Sequence, residues 1–408
     1  MTYTEPRLSG RYWRFWWVTG ISAVGDGVFA AVVPLLAVAV TTDPRLVSFV
    51  AAATYLPWLL LSLPVGALVD RYDRVALLRW AQAVQAVLAG VLAILAAYGR
   101  IGIPVLVVAA FGLGACAVVF GNAAQAILPD LVARPLLHRA NGHQQTITTI
   151  GLQFAGPPVG SLLFAVGVAL PYGLAAGALA LAAALLATLP RRRGAHSPSH
   201  GLRMGAEIAD GLRWLARHRL LRTLAILLGV NTFCGQLANA TLALLATQTL
   251  GLSARAYGLL LAGAAVGSLL GALVNARVIT MIGPLPALLA ALATNAAVFA
   301  GIGLSPDAIV LGVLLAVNGF VIMLWNIVTV GLRQELVPSG LLGRVNSVYR
   351  MIGWGLIPLG ALAGGVVAHA FGLRAPYLVA GALRGLALLA ALPVLIRALR
   401  PDQPGSQS

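Results

Sequence analysis

Shifted by 205 residues, the chain matches itself. Gly66-Ala67-Leu68-Val69-Asp70 falls on Gly271-Ala272-Leu273-Val274-Asn275, and Leu136, Leu137, Arg139 and Asn141 fall on Leu341, Leu342, Arg344 and Asn346. Further on, Gly160, Gly167, Pro171 and Tyr172 meet Gly365, Gly372, Pro376 and Tyr377. In a chain rich in Ala and Leu only the rarer residues carry weight, and Arg, Asn and Pro-Tyr recur here without a gap. The chain reads as two copies of one unit.

Each copy is built for lipid. Hydrophobic residues make up 60% of the chain, charged residues 9%, and the mean hydropathy is +0.92, far from the composition of a soluble domain. A helix needs about 20 mostly apolar residues to cross a bilayer. Twelve such stretches occur, roughly 15–41, 46–69, 75–98, 103–128, 141–168, 171–189, 221–249, 256–276, 281–304, 308–332, 346–371 and 375–397. Six fall in each copy, so the expected fold is an all-α membrane protein of twelve transmembrane helices in two pseudo-symmetric six-helix bundles. Its expected domains are 1–190, a linker at 191–220 and 221–408. Parallel six-helix repeats of this kind build one large class of secondary transporters. The first apolar stretch is too long for a signal-peptide core and reads as an uncleaved span.

The net charge of +16 would suggest a nucleic-acid partner in a soluble chain, but its distribution gives another reason. All 27 basic residues are Arg. With the N-terminus inside, the inner side receives Arg7, Arg11, Arg14, Arg71, Arg74, Arg79, Arg134, Arg139, the 191–222 connector, Arg277, Arg333, Arg344, Arg350, Arg397 and Arg400. The outer loops receive only Arg45, Arg100, Arg255 and Arg374. This positive-inside pattern places both termini in the cytoplasm and accounts for the charge without a nucleic-acid partner; the expected location is a bacterial inner membrane. Within the connector, Ile208, Leu212, Leu215 and Leu220 alternate at helical spacing with Asp210, Arg213, Arg217 and Arg219. An interfacial amphipathic helix is expected there, facing anionic lipid head groups. Cys116 and Cys234 lie in separate spans without CxxC spacing or a His cluster, so neither a metal nor a disulfide framework is expected.

Between the second and third spans runs Gly66-Ala-Leu-Val-Asp70-Arg71-Tyr-Asp73-Arg74. In that position it resembles the signature of the major facilitator superfamily. The resemblance implies a conformational latch: Gly66 lets the second helix approach a neighbour, Asp70 faces a helix N-terminus of the other half, and Arg71 and Arg74 pair with carboxylates. Asp130 is the best-placed acidic partner. In the second copy Asn275, Ala276 and Arg277 replace Asp70, Arg71 and Tyr72, so the latch is expected to be asymmetric. In the fifth span, Gly156-Pro157-Pro158-Val159-Gly160 resembles a helix-5 motif of exporters; Gly156, Pro157 and Gly160 are expected to bend the helix and pack it against the partner half. Ser22-Ala23-Val24-Gly25-Asp26-Gly27 and Gln334-Glu335-Leu336-Val337-Pro338 are similar to the branch that holds macrolide-efflux and enterobactin-exporter proteins.

Asp26 lies about 11 residues into the first span, which at 1.5 Å per residue is roughly 16 Å deep in a core about 30 Å thick. A carboxylate there is costly unless it faces a cavity, is paired or takes up a proton. Two readings stand: a proton-coupling residue, or a cap for a helix break at Gly25–Gly27. Its repeat counterpart is the neutral Asn231. The resemblance makes spans 1, 4, 7 and 10 line the cavity, which nominates Asn122, Asn231, Gln236, Asn239, Asn318 and Asn326 as hydrogen-bonding groups. Phe29, Phe233 and Trp325 supply apolar and stacking surface. Arg384, the other deep charge, could pair with a carboxylate or bind an anionic substrate group; because its span is peripheral in the resembling fold, it is expected to snorkel or to pack against the eleventh span. The expected function is proton-coupled export of a small lipophilic or amphiphilic compound by a monomer without cofactors, with substrate, protons and lipids as its partners; uptake, lipid flipping and a non-transporting sensor or scaffold are the alternatives. No nucleophile–base pair or metal cluster suggests an enzyme.

Overall fold

A computed structural model describes residues 8–188 and 212–399. Among them there are twelve helices long and apolar enough to cross a membrane. They are α1 Gly10–Val40, α2 Pro44–Arg71, α3 Arg74–Ala97, α4 Ile103–Leu131, α5 (Leu137–Thr149, a π-helical segment Ile150–Ala155, and Gly156–Val166) and α6 Leu170–Ala187. The second six are α7 (Arg219–Asn239, continued by Leu242–Leu244 and a π-helical Leu245–Thr249), α8 Ala254–Ile282, α9 Pro284–Leu304, α10 Ala308–Leu336, α11 Ser339–Phe371 and α12 Ala375–Leu399. The expected all-α membrane fold is what forms. Several helices outrun their apolar stretches, α11 by seven residues at its start, because hydropathy marks the part suited to lipid and not the end of hydrogen bonding. In the connector, residues 208–211 lie outside the described residues; 212–217 are helical, with Leu215 buried and Leu212 half exposed.

The chain divides into two compact units, Met1–His200 with Ala246–Ala262, and Gly201–Leu245 with Gly263–Ser408. The scarce carboxylates punctuate the helices. Asp43 accepts from the Arg45 amide at the start of α2, Asp73 from the Ala76 amide (2.7 Å) at the start of α3, and Asp307 from the Ile309 and Val310 amides at the start of α10. Each ties down N–H groups that a helix start leaves without partners. The repeated Gly, Pro and Tyr also acquire a role. Gly167 and Gly372 are the C-caps of α5 and α11, Gly372 with φ 89°. Pro171 and Pro376 open the next helices, where a missing N–H costs nothing, and Tyr172 and Tyr377 are buried behind them.

Within each unit the tightest crossings run through glycine. On α1, a Cβ at Gly27 would stand 2.7 Å from the Gly151 carbonyl oxygen and 3.0 Å from Gly156 Cα, both on α5. On α11, a Cβ at Gly360 or Gly364 would strike the Phe233 or Leu237 carbonyl of α7. The same helix pair is also tied by tyrosine in each unit. Tyr12 of α1 donates to the Ala140 carbonyl of α5 (3.0 Å), and Tyr349 of α11 donates to the Leu221 carbonyl of α7 (2.6 Å). On α10, a Cβ at Gly319 would collide with the Ala264 carbonyl of α8. Lipid tails are as apolar as leucine, so such close backbone contact does much of the work of association in a bilayer.

Two sequence expectations change here. At Gly66 a Cβ would meet nothing within 4 Å among the described residues, whereas its repeat partner Gly271 would place one 2.9 Å from the Phe320 carbonyl. The shared glycine is used for close approach in the second copy. At the α5 motif the regular α-helical bonding is interrupted: Pro157 and Pro158 lack the N–H groups that would bond the turn before them, and the π-helical segment Ile150–Ala155 precedes them. Gly156 and Gly160 themselves pack on Gly27 and Val28 of α1, while the adjoining face of α5 meets the second copy: a Cβ at Gly258 of α8 would stand 2.6 Å from Ser161 Cβ and 3.8 Å from the Pro158 carbonyl oxygen.

Gly319→Leu is expected to cost about 3 kcal/mol through overpacking against a backbone that cannot yield. Gly66→Ala should be close to neutral. Melting temperature and monodispersity of the purified proteins in detergent check the contrast, and equal losses would contradict it.

Candidate functional site

In the first unit, Asp26 sits near the middle of α1, half-buried. The helix is continuous through Gly25 and Gly27, so the carboxylate caps no break; the flanking glycines serve packing, Gly27 against α5 and Gly25 beside Leu179 of α6. Its hydrogen-bond partner is an amide, Gln85 Nε2 of α3 at 2.9 Å. Gln85 in turn accepts from Gln82 Nε2 (3.4 Å), which also donates to Ser22 Oγ (2.9 Å). Ser22, Gln82 and Gln85 are all fully buried. Gln82 and Gln85 were not singled out from the sequence; two amides three residues apart in an apolar span, hence on one helix face, were the available signal.

At the other end of α3, a short turn fixes a cation. Tyr72 ends α2 and Asp73 caps α3, so Arg74 is the first residue of the new helix. From there Nη1 reaches Asp130 Oδ2 (2.7 Å) and the Ala126 carbonyl (2.9 Å) in the last turns of α4. A guanidinium at a helix C-terminus also meets the negative end of the helix dipole. Arg71 is exposed, and the side chain of Asp70 lies outside the described residues. Thus the structure joins Arg74 and Asp130, while a Cβ at Gly66 would touch none of the described residues.

In the second unit a cavity of about 260 Å³ gathers Asn231, Gln236, Asn239, Asn318, Trp325 and Asn326, six of the nine residues nominated for binding. Three are placed elsewhere. Phe29 is buried and stacks on Tyr172, ring centroids 6.3 Å apart, so it is core. Asn122 donates to the Val118 carbonyl of its own helix, and Phe233 does not line this cavity. Asn295 of α9, unremarked in the sequence, also lines it and donates to Asn318 Oδ1 (2.9 Å).

Arg384 is the larger correction. Instead of snorkelling, it is 6% exposed and lines the cavity. Its Nη2 donates to the Asn231 carbonyl at 2.8 Å, and its guanidinium lies 3.6 Å over the Phe299 ring. The reason is helix placement: α12 packs on both α7 and α9, and Gly235 leaves room for the head group, since a Cβ there would lie 3.3 Å from Nη2. A cation–π contact of a desolvated Arg is worth about 2 kcal/mol, which offsets part of its burial cost.

Twelve spans in two sequence-related sets, with polar groups buried at mid-helix, are the architecture of the major facilitator superfamily. The chain belongs to the transmembrane secretion effector family of that superfamily, whose profile matches residues 6–406. A multidrug efflux pump, Tap, of Mycolicibacterium fortuitum is 30% identical over 373 residues, 88% of this chain and 89% of that one. The Mycobacterium tuberculosis pump of the same name is 34% identical over 220 residues. In that match the chain spans about half the relative's length, 52%. Among solved structures, nucleoside transporter NupG superposes with a TM-score of 0.72 at 13% identity, covering 97% of this chain and all of that one. A bacterial homologue of the iron transporter ferroportin, inward-facing, gives 0.72 at 17% identity, covering 95% and 98%. These two likenesses speak to the fold alone.

Arg74→Ala and Asp130→Asn are each expected to lower turnover by about tenfold, with the double variant no worse than either single one, because both remove the same contact. Equilibrium binding of transported compounds should be unchanged. Additive losses in transport assays on reconstituted protein would contradict a shared role.

Proposed function

We propose that the chain exports small lipophilic or amphiphilic compounds in exchange for protons, with Asp26 as the proton-carrying group. The observation that carries this reading is the partner of Asp26. A carboxylate at mid-span that is held by a neutral amide keeps a hydrogen bond in either protonation state, because a protonated acid still has an acceptor oxygen. A guanidinium partner would instead hold it ionised. The second repeat has Asn231 at the matching position, which leaves one titrating group for the pair. The name that the related pumps carry, and the mixture of amides and aromatics in the second unit's cavity, support a cargo that is mostly apolar with a few hydrogen-bonding groups.

In this reading the two units alternate access to a mid-membrane site, and Arg74 with Asp130 serves as the latch of the first unit. The Arg distribution supports both termini in the cytoplasm, and the bacterial pumps that the chain resembles support a place in a bacterial inner membrane.

Substrate-induced proton flux in proteoliposomes, screened with lipophilic dyes and antibiotics, tests the assignment. Flux is expected for wild type and should fall at least about a hundredfold in Asp26→Asn, with insertion and melting temperature retained. Wild-type flux that survives in Asp26→Asn would remove Asp26 from the proton path; cargo movement without proton flux would replace antiport by uniport.

A further inference from the structure

The second unit buries a cation that no carboxylate among its described residues neutralises. Arg384 lines the cavity at 6% exposure, and while Nη2 is bonded to the Asn231 carbonyl, Nε and Nη1 have no hydrogen-bond acceptor. At least three of the five N–H groups of the guanidinium, the one on Nε and the two on Nη1, are therefore unused. Among the described residues of this unit the carboxylates are Asp307, which caps α10, and Glu335, in the last turns of α10, and neither lines the cavity. One face of the guanidinium is covered by Phe299. The remaining cavity wall is amide and aromatic: Gln236, Asn239, Asn318, Asn326 and Trp325.

We propose that this cavity binds an organic anion, specifically a ring bearing a carboxylate, with Arg384 as the anion-binding group. A buried guanidinium without a counter-charge carries a desolvation cost that an arriving oxyanion relieves, while a neutral molecule leaves the cost in place. Asparagine and glutamine amides donate to the same oxyanion without competing for it, and they accept from ring hydroxyls. Trp325 offers the apolar wall against which a flat ring packs. The volume, about 260 Å³, lies at the lower edge of ligand cavities, about 300–1,000 Å³, so it fits a single-ring acid or the acidic end of a larger amphiphile. That such an anion is exported cargo rests on the export reading above; the binding does not.

Isothermal titration calorimetry of the full-length protein in detergent separates the two. Salicylate and salicylamide serve as probes, alike in shape but not in charge. Wild type is expected to bind salicylate at least about tenfold more tightly than the amide. Arg384→Gln should erase the preference and Arg384→Lys should keep part of it. The titration uses detergent-solubilised protein with no proton gradient and reads binding alone, so a failed proton-coupling reading does not disturb this measurement. Equal affinity for the two probes in wild type, no binding of salicylate, or a preference that survives in Arg384→Gln would each overturn the proposal. Should Arg384→Gln fail to fold, the wild-type comparison and Arg384→Lys still decide it.

Discussion

Close backbone approach is the constraint on which the rest of this structure depends. In lipid there is no water to drive apolar surfaces together, so helices associate where side chains are small enough for backbones to touch. Gly27 against Gly151 and Gly156, Gly360 and Gly364 against α7, and Gly319 against α8 are such places. They decide which helix faces are turned inward, and so which of the few polar side chains reach the interior of each unit. Asp26 lies beside Gln85 because α1 is held down on α5 and α6 by the glycines at positions 25 and 27; Arg384 lies over Phe299 because α12 packs on α7 and α9 and Gly235 makes room.

The two repeats have diverged in charge while keeping their scaffold. The first unit sets a half-buried acid against an amide, and the second buries a guanidinium over a ring. A carboxylate can lose its charge by taking up a proton; a guanidinium cannot at any pH a cell meets. One unit is thus suited to a variable charge and the other to a fixed one. Duplication supplied equivalent positions, and the residue at each position set the electrostatics.

Much of the fold was legible because lipid imposes a simple rule: an apolar stretch of sufficient length must be a helix, since its own backbone has to satisfy its hydrogen bonds. The repeat was legible through Gly167, Pro171 and Tyr172 and their partners, which sit at turns where backbone geometry restricts the residue. What stayed hidden depends on helix rotation and on neighbours. Gly66 and Gly271 look equivalent in the sequence, yet only the second faces another backbone. Phe29 looked like a cavity wall and is packed on Tyr172; Arg384 looked peripheral and is enclosed. Gln85 carried too little signal in an apolar span to be chosen over the asparagines nearer the expected cavity. Arg74 and Asp130 were paired correctly because the turn before α3 and the end of α4 are fixed by short-range chemistry.

The Asp73 cap has a mechanical consequence. Only Tyr72 and Asp73 separate α2 from α3, and Asp73 anchors the first N–H groups of α3 while Arg74 grips the end of α4. Two residues leave little chain to absorb relative movement, so a tilt of α2 passes directly to the start of α3 and, while Arg74 holds Asp130, on to the end of α4.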